Sequence, residues 1–192
     1  MKDPEPALKQ AAVAGDREAI DRLFRELYPP VYGFCLSMTR SQAEAEDLTQ
    51  LTFLRAFRHL RRFRAADPIG PWIMRIAHNL FISQLRARRS HLELDDPDRT
   101  PVASGEPQPE AVALSHEVRQ QVRRALASLS PQAQAVLVLR YQQQLSYEEI
   151  SAVLGKPVTT VTNRLYEARH RLAEALSQFE RGGDNAVQLV GP

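Results

Sequence analysis

The stretch Leu145–Leu172, LSYEEISAVLGKPVTTVTNRLYEARHRL, is the part of the chain that decides its fold. Ser146 is followed three residues later by Glu149. This spacing is typical of a capping box, in which each residue's side chain accepts a hydrogen bond from the other's backbone N–H, so a helix is predicted to begin there. Gly155 supplies the positive φ that ends a helix, and Pro157 cannot prolong the helix before it. The stretch therefore predicts two helices joined by a short turn, the second beginning near 157–159.

The second helix has one apolar face and one polar face. Apolar residues recur every three or four positions, as in a helix that buries one side. They are Val161, Leu165, Ala168, Leu172 and Leu176. The polar faces carry groups that hydrogen-bond to DNA or stack on it, namely Thr160, Thr162, Asn163, Arg164, Tyr166, Glu167 and Arg169. A short helix, a glycine turn and a longer helix with such a front are typical of a recognition helix in a major groove. An ordinary helical hairpin with a solvated face would show the same pattern.

Charge is distributed unevenly along the chain. The net charge is only +2. Residues 1–90 have 15 Lys and Arg against 10 Asp and Glu, residues 91–115 have 1 against 6, and residues 116–192 have 9 against 7. Two cationic blocks are thus separated by an acidic one, and this asymmetry is more informative than the overall balance. Because glycine is scarce (8 residues) and only 7% of residues are aromatic, the composition favours helix bundles over sheets.

Several classes of protein are excluded by what the sequence lacks. Cys35 is the only cysteine, so disulfide frameworks and cysteine zinc sites are excluded, and its place in an apolar stripe predicts a small buried residue. The five histidines are scattered, and no phosphate loop or nucleophile motif is present, so we expect neither an enzyme nor a metal or other cofactor. No apolar run approaches the ~20 residues that span a bilayer. MKDPEPALKQ is no signal peptide. We therefore expect a soluble, cytoplasmic protein without membrane insertion.

Residues 16–90 predict the first helical domain, after an N-terminal segment (1–15) whose first six residues should be frayed. Asp16 caps a helix that Pro29 and Pro30 should end or kink, before its stripe resumes up to Thr39. Ser41, with Glu44, opens a third helix as a second capping box. The apolar residues of this helix step by threes and are Leu48, Leu51, Leu54, Phe57 and Leu60. A loop at 65–70 then leads to a fourth helix that ends in a basic cluster.

Arginines and aromatic residues are interleaved from the third helix onward. The arginines are Arg55, Arg58, Arg61, Arg62 and Arg64, and the rings are Phe53, Phe57 and Phe63. Cations that hold phosphates and rings that stack on unpaired bases are what single-stranded nucleic acid requires. Exposed arginines on a solvated face and aromatic residues in a core would give the same composition, so both interpretations stay open on charge alone.

The chain is predicted to be all-α, with two small helical domains joined by a flexible linker. Residues 91–113 mix acidic residues with Pro97, Pro101, Pro107 and Pro109 and have few large apolar residues, which is typical of an extended, self-repelling linker. Residues 114–178 form the second domain, which contains the helix-turn-helix. Its earlier stripe includes Leu129, Val136, Leu137, Leu139 and Tyr141, and Ser130-Pro131 reads as a helix start. Residues 179–192 should form a flexible tail.

Four motifs, in this order, resemble those of the extracytoplasmic-function (ECF) sigma factors of bacterial RNA polymerase. They are DLTQLTFLRAF at 47–57, PWIMRIAHN at 71–79, LSPQAQAVLVLRY at 129–141, and LSYEEI at 145–150 followed by Val161, Arg164 and Leu165. The resemblance covers roughly residues 16–89 and 114–176. It implies that the first domain binds core polymerase and the minus-ten promoter element, and that the second binds the minus-thirty-five element.

In that family the helix of the first motif docks on the clamp helices of the polymerase's largest subunit. The residues implied in this contact are Asp47, Gln50, Phe53 and Leu54. The basic residues after it, the loop at 64–70 and the fourth helix would melt the minus-ten element and hold an extruded base in a pocket bordered by the loop and Asn79. The residues implied at the minus-ten element are Arg58, Arg61, Arg62, Arg64, Trp72, Arg75, His78, Asn79 and Arg86.

The second domain would read the minus-thirty-five element and rest on the flap of the second-largest subunit. The residues implied at the DNA backbone are Arg140, Ser146, Tyr147 and Glu148. Those implied in the groove are Thr159, Thr160, Thr162, Asn163, Arg164, Tyr166 and Arg169. The family also implies that the acidic linker threads the channel later used by RNA, although a soluble tether explains its composition equally well. A further implied partner is an anti-sigma factor.

The sequence departs from the family pattern at three positions. Leu51 stands where an acidic residue is usual, Thr159 replaces a common glycine, and Thr162 replaces a common basic residue. Threonine lacks the bidentate contact that arginine makes to guanine, so we expect a minus-thirty-five preference that depends less on guanine there.

Two other kinds of protein are compatible with parts of the sequence. A conventional helix-turn-helix activator or repressor would bind duplex DNA without polymerase. A helical adaptor that binds only proteins would explain the apolar stripes, but neither the two basic clusters nor the helix-turn-helix.

Overall fold

A computed structural model describes residues 3–95, 121–122 and 124–188. The described residues are helical and contain no strand, which confirms the predicted all-α class. The first domain consists of α1 (Pro6–Ala14), α2 (Arg17–Thr39), α3 (Gln42–Leu60) and α4 (Ile69–Asp95). The second contains α5 (Pro131–Leu137), a π-helical turn (Val138–Gln142), α6 (Tyr147–Leu154) and α7 (Val158–Gln188). Most of the predicted linker lies outside the described residues, as do the first turns of the second domain.

The predicted helix-turn-helix is present with the local signals that indicated it. The hydroxyl of Ser146 accepts from the Glu149 N–H (3.1 Å), and the Glu149 carboxylate accepts from the Ser146 N–H (2.7 Å). Gly155 ends α6 with φ of 61°, a value that is costly for a residue with a Cβ. The second helix begins at Val158, within the predicted range. The helix-turn-helix therefore has the boundaries that its capping box and its glycine predicted.

Helix α2 is continuous, so of the two expected effects of Pro29 and Pro30, to end the helix or to kink it, the first is wrong. Both prolines lie inside the helix. Each interior proline costs ~3 kcal/mol or more. Beyond them, Val31 and Phe34 are fully buried in the same core as Leu27. Burying such side chains contributes about 1.5–3 kcal/mol each, so packing on both sides of the prolines holds the helix together.

Four other expectations about element ends are corrected. Helix α4 continues to Asp95, five residues past the predicted start of the linker. Helix α7 continues to Gln188, well into the tail that was expected to be flexible. At the N-terminus, Asp3 is hydrogen-bonded to the start of α4 and Pro4 is buried, so residues 3–6 are anchored rather than frayed. At Ser41 only one half of the predicted capping box is present, since its hydroxyl accepts from the Glu44 N–H.

The two domains pack against each other through apolar side chains. Helix α6 lies against α4, and the π-helical turn lies against α2. Leu139, Ile150 and Val161 of the second domain belong to the same buried core as Phe34 and Ile73 of the first. A smaller core is internal to the second domain and comprises Leu129, Val136, Leu137, Leu165 and Ala168. Tyr141, which was predicted to join the core, is 58% exposed.

Three glutamines of the second domain add hydrogen bonds across this interface. The amide of Gln134 donates to the backbone carbonyl of Ser37, and Gln143 donates to that of Pro30 (3.0 Å). The hydroxyl of Ser37 donates to the side-chain carbonyl of Gln142 (2.8 Å). Ser37 lies in the last turn of α2, where carbonyls lack helical partners. The glutamine contacts therefore satisfy groups of α2 only while the domains are together.

Candidate functional site

An open apolar groove of about 530 Å³ runs between α2 and α3. Its lining residues are Asp21, Phe24, Arg25, Tyr28, Gln50, Phe53, Leu54 and Phe57. The Phe53 ring packs against Phe24 (4.9 Å between centroids) and Tyr28 (6.0 Å), which forms an aromatic floor. Leu54 is 50% exposed and Phe57 is 55% exposed. Contiguous exposed apolar surface of this kind marks a docking site.

The structure brings three of the four predicted docking residues into this groove. Gln50, Phe53 and Leu54 line it. Asp47 is exposed one turn earlier on α3 but does not line the groove. Sequence reasoning missed the contribution of α2, from Phe24 and Tyr28. Their spacing in α2 is that of ordinary core residues, so only the pairing of α2 with α3 identifies them.

The apolar residues of α3 explain why the groove is open. Residues three apart in a helix are separated by 300°, so a pattern that steps by threes rotates steadily around the helix. Leu48 and Leu60 are buried, whereas Leu51, Leu54 and Phe57 between them are exposed. Within this pattern, the middle residues therefore face solvent, whereas the first and last residues face the core.

A basic surface adjoins the groove at the end of α3. Arg58, Arg61, Arg62 and Arg64 are exposed, as are Arg75, Asn79 and Arg86 on α4. Among the residues that the structure describes, none of these arginines forms an ion pair with a carboxylate. Arg86 differs in this from nearby Arg88, which pairs with Glu44 (3.0 Å). The structure thus exposes these predicted minus-ten residues on the end of α3, on the loop 61–68 between α3 and α4, and on α4, and shows no ion pair for their arginines among the described residues.

Two predicted minus-ten residues are turned partly inward. Trp72 is half-buried, with its ring 4.9 Å from that of Phe63. His78 is also half-buried, and its Nδ1 is buried without a hydrogen-bond partner in the described structure. Burial lowers the pKa of His78, while the Asn79 side chain acts in the opposite direction. The Trp72 ring thus packs against the loop through Phe63. His78 is neutral at pH 7, because its pKa is lowered from an ordinary value that is already below 7.

The front of α7 presents the predicted groove-reading residues. Thr159, Thr162, Asn163, Tyr166 and Arg169 are exposed. Two further members of the predicted set, Thr160 and Arg164, are half-buried. The Thr162 hydroxyl donates to the Val158 carbonyl (2.7 Å), so its only proton is already used within the helix.

The residues predicted at the DNA backbone also stabilise the start of α6. Arg140 donates to the Leu145 carbonyl (2.8 Å), and its guanidinium lies 4.9 Å from the centre of the Tyr147 ring. Hydrogen bonds from the backbone N–H and the Ser146 hydroxyl, with Arg140 nearby, lower the pKa of Glu148. These residues are held in one arrangement at a helix N-terminus, where phosphate oxygens also bind well.

The cysteine of the first domain lies in the core rather than at an exposed site. Cys35 is fully buried, and its burial raises the pKa of the thiol to about 11, so it remains protonated. No group of three or more metal-ligating side chains occurs among the described residues. The same residues include no helix that is both long and apolar enough to cross a bilayer.

The helix-turn-helix, the basic surface and the apolar groove together define a two-domain, all-α transcription protein. Residues 23–91 match the family Sigma-70 region 2, and residues 119–172 match Sigma-70, region 4. The chain is 35% identical to the ECF RNA polymerase sigma factor SigE of Mycolicibacterium smegmatis over 168 residues, and 33% identical to the RNA polymerase sigma factor YlaC of Bacillus subtilis over 165 residues. The chain therefore belongs to the ECF sigma factors of bacterial RNA polymerase, which are transcription initiation factors.

The extent of these similarities differs between relatives. The SigE match covers 85% of this chain and 65% of SigE, whereas the YlaC match covers 84% of this chain and 94% of YlaC. Among solved structures, the sigma factor RpoE in complex with the anti-sigma factor NepR from Bartonella quintana is 27% identical, with a TM-score of 0.71 over 82% of this chain and 96% of that one. CnrH in complex with the cytosolic domain of CnrY shares the fold, at 24% identity and a TM-score of 0.68, over 90% of this chain and 97% of that one.

Proposed function

We propose that this sigma factor docks on the clamp helices of core RNA polymerase through the groove between α2 and α3. The observation that carries the proposal is the open groove of about 530 Å³, with an aromatic floor, directly beside a surface of unpaired arginines. An apolar anchor site next to uncompensated cations fits a protein that binds another protein and DNA together. Asp47 and Gln50 supply polar contacts at the edge of this interface.

The arginines around the loop 61–68 contact the minus-ten element while it is melted. Arg58, Arg61, Arg62 and Arg64 attract its phosphates, and Arg75 and Arg86 extend the cationic path along α4. Asn79 borders the pocket for an extruded base, together with the loop. Flipping a base out of the duplex costs a few kcal/mol. A preformed pocket offsets this cost only for a base that fits it, so melting of the element and selection of its sequence occur together. Trp72 and His78 act from their half-buried positions by shaping the wall of this pocket.

The second domain reads the minus-thirty-five element through the front of α7 and rests on the polymerase flap. Arg140, Ser146, Tyr147 and Glu148 lie at the DNA backbone. The protein acts in the cytoplasm by binding alone, without a cofactor or catalytic group of its own. An anti-sigma factor is its regulatory partner. The likeness to the RpoE structure, in which a sigma factor is bound by an anti-sigma factor, supports this.

Run-off transcription with purified core polymerase on a promoter library tests the proposed function. Transcripts that start at defined promoters only when this chain is added support it. A gel-shift experiment with and without core separates it from a conventional helix-turn-helix regulator. Tight binding to a duplex operator by the chain alone, without association with core, would contradict the sigma mechanism.

Replacing Arg61 and Arg62 with Ala is expected to weaken promoter opening and flatten its salt dependence. Each lost phosphate contact lowers the slope of log affinity against log salt by about 0.7–0.9, so the pair should lower it by about 1.4–1.8. Permanganate reactivity of promoter thymines, measured over a salt series, gives this slope. The double variant Arg17→Ala and Arg22→Ala removes the same charge from α2 and should leave the slope unchanged. A wild-type slope in the Arg61, Arg62 variant means that these two side chains touch no phosphate.

Thr162→Arg is expected to create a preference for guanine at one position of the minus-thirty-five element. An arginine that contacts guanine at two atoms discriminates against other bases by ~1–3 kcal/mol, which corresponds to about 5-fold to 150-fold. The Thr162 hydroxyl makes no such contact, because it donates within its own helix. Selection of binding sites from a random promoter library, with holoenzyme, measures the change, and Thr162→Ser is the control. An unchanged preference in the arginine variant contradicts the assignment of this position to the groove.

A further inference from the structure

The start of α4 lacks a capping residue from its own segment. The residue before Ile69 is Pro68, whose side chain has no hydrogen-bond acceptor. The first N–H groups of a helix need acceptors, and an Asp, Asn, Ser or Thr usually supplies one. Here the Ile69 N–H donates instead to Oδ1 of Asp3, at 2.9 Å and 66 positions away in the chain. The start of α4 is therefore capped by the N-terminal segment.

A buried lysine connects this cap to the end of the loop 61–68. Lys9 of α1 is only 3% exposed. Its Nζ donates to Oδ2 of Asp3 (2.6 Å) and to the backbone carbonyl of Asp67 (3.0 Å). A charge removed from water in this way is tolerated only because it is paired and hydrogen-bonded. One ammonium group thus ties α1, Asp3 and the last turn of the loop together.

The beginning of the loop is also held against the N-terminal helix. Gly15, with φ of 99°, ends α1, and the guanidinium of Arg61 lies so close that a Cβ at Gly15 would be 3.4 Å from its Nη2. Both ends of the loop therefore lie close to α1: Arg61 lies beside Gly15, and Lys9 donates to the Asp67 carbonyl.

We propose that Asp3 and Lys9 are positioning residues for the loop 61–68, which set how the minus-ten element is melted and selected. The inference rests on the proposed function, because it assumes that this loop borders the pocket for the extruded base. Neither residue touches DNA in this scheme. They act through the Asp67 carbonyl and the Ile69 N–H, which fix where the loop ends and where α4 begins.

The experiment measures promoter opening by permanganate reactivity with holoenzyme made from full-length chain and core polymerase. Each variant is tested on one promoter and on single-base variants of its minus-ten element. Asp3→Ala removes both bonds of the carboxylate, and Lys9→Met removes the ammonium group. Asp3→Asn keeps an oxygen for the Ile69 N–H but loses the charge that pairs with Lys9. Glu5→Gln, an exposed carboxylate two residues away, is the matched control.

We expect Asp3→Ala and Lys9→Met to slow opening by about tenfold or more, since small misplacements of a positioned group have effects of this order. Discrimination among the minus-ten variants should become weaker in both. Asp3→Asn should have an intermediate effect on opening and on discrimination. A further variant, Lys9→Arg, keeps the positive charge and should lose less of both than Lys9→Met. Glu5→Gln should match wild type. Core affinity, measured by fluorescence anisotropy, should stay within about twofold, because the α2–α3 groove is separate from these contacts.

Two results overturn the inference. One is unchanged opening and unchanged base discrimination in Asp3→Ala and Lys9→Met. The other is a loss of opening that is matched by an equal loss of core affinity and leaves base discrimination intact, which indicates general destabilisation. If Lys9→Met does not fold, as judged by circular dichroism, Asp3→Asn decides by the same criteria. A wild-type chain that neither binds core nor opens promoters would instead refute the proposed function itself.

Discussion

Leu54→Asp is expected to reduce the affinity of the chain for core RNA polymerase by about 30-fold or more. Leu54 lines the α2–α3 groove and is 50% exposed, so a charge there is solvated in the free protein but is forced out of water in the complex. Central apolar anchors of interfaces cost at least ~2 kcal/mol when lost, and a carboxylate adds its own desolvation cost. Since ~1.4 kcal/mol corresponds to a factor of ten in affinity, a loss of ~2 kcal/mol lowers the affinity for core polymerase by about 30-fold.

Leu51→Asp is the matched control for this prediction. Leu51 is also an exposed leucine of α3, at 40%, but it does not line the groove. The same substitution there should leave core affinity near the wild-type value, because this side chain lies outside the groove. Fluorescence anisotropy with labelled protein measures both affinities, and circular dichroism confirms that both variants fold. Equal losses at the two positions, or none at Leu54, would place the polymerase contact elsewhere.

Replacing Gln134, Gln142 and Gln143 with Ala is expected to loosen the contact between the two domains by roughly one to two orders of magnitude. Each hydrogen bond contributes a net ~0.5–1.5 kcal/mol. The carbonyls of Ser37 and Pro30 accept from Gln134 and Gln143 only while the domains are together. In the separated form water satisfies these carbonyls, so the cost of the substitutions falls on the joined form alone.

Hydrogen exchange of backbone amides at the α4–α6 contact measures this loosening. Protection there should fall by about tenfold to a hundredfold, since exchange through local opening reports the population of the open form. The internal core of the second domain, around Leu165 and Ala168, does not depend on these glutamines and should remain protected. Gln132→Ala alters an exposed glutamine of α5 and serves as the control. Unchanged protection at α4–α6 would show that the apolar contacts alone hold the domains together.

The sequence predicts well those features that local chemistry decides. Ser146, Glu149 and Gly155 lie within ten residues of one another, and each acts on backbone groups a turn away. The buried stripe of α7 follows from its period in the same way, with Val161, Leu165 and Ala168 all buried. For the candidate site, the resemblance to ECF sigma factors implied Asp47, Gln50, Phe53 and Leu54 together. The structure places the last three in one groove, and their role in docking stays a prediction.

The remaining features depend on contacts between distant parts of the chain. Pro29 and Pro30 were expected to end or kink α2, and the sequence does not show the packing that keeps the helix continuous across them. Phe24 and Tyr28 have the spacing of core residues, and only their position opposite Phe53 makes them part of the groove. The Asp3–Ile69 bond spans 66 positions, and no pattern in the N-terminal segment indicates it.

The shared core of the two domains has a thermodynamic consequence for ligands of any kind. A ligand shifts a balance between joined and parted arrangements of two domains only by its differential affinity for the two. A ligand that spans both domains as they lie in the structure stabilises the joined arrangement and thereby weakens every ligand that requires them apart. Such an antagonist needs no contact with the exposed front of α7, and its potency would decline in variants whose domains separate easily.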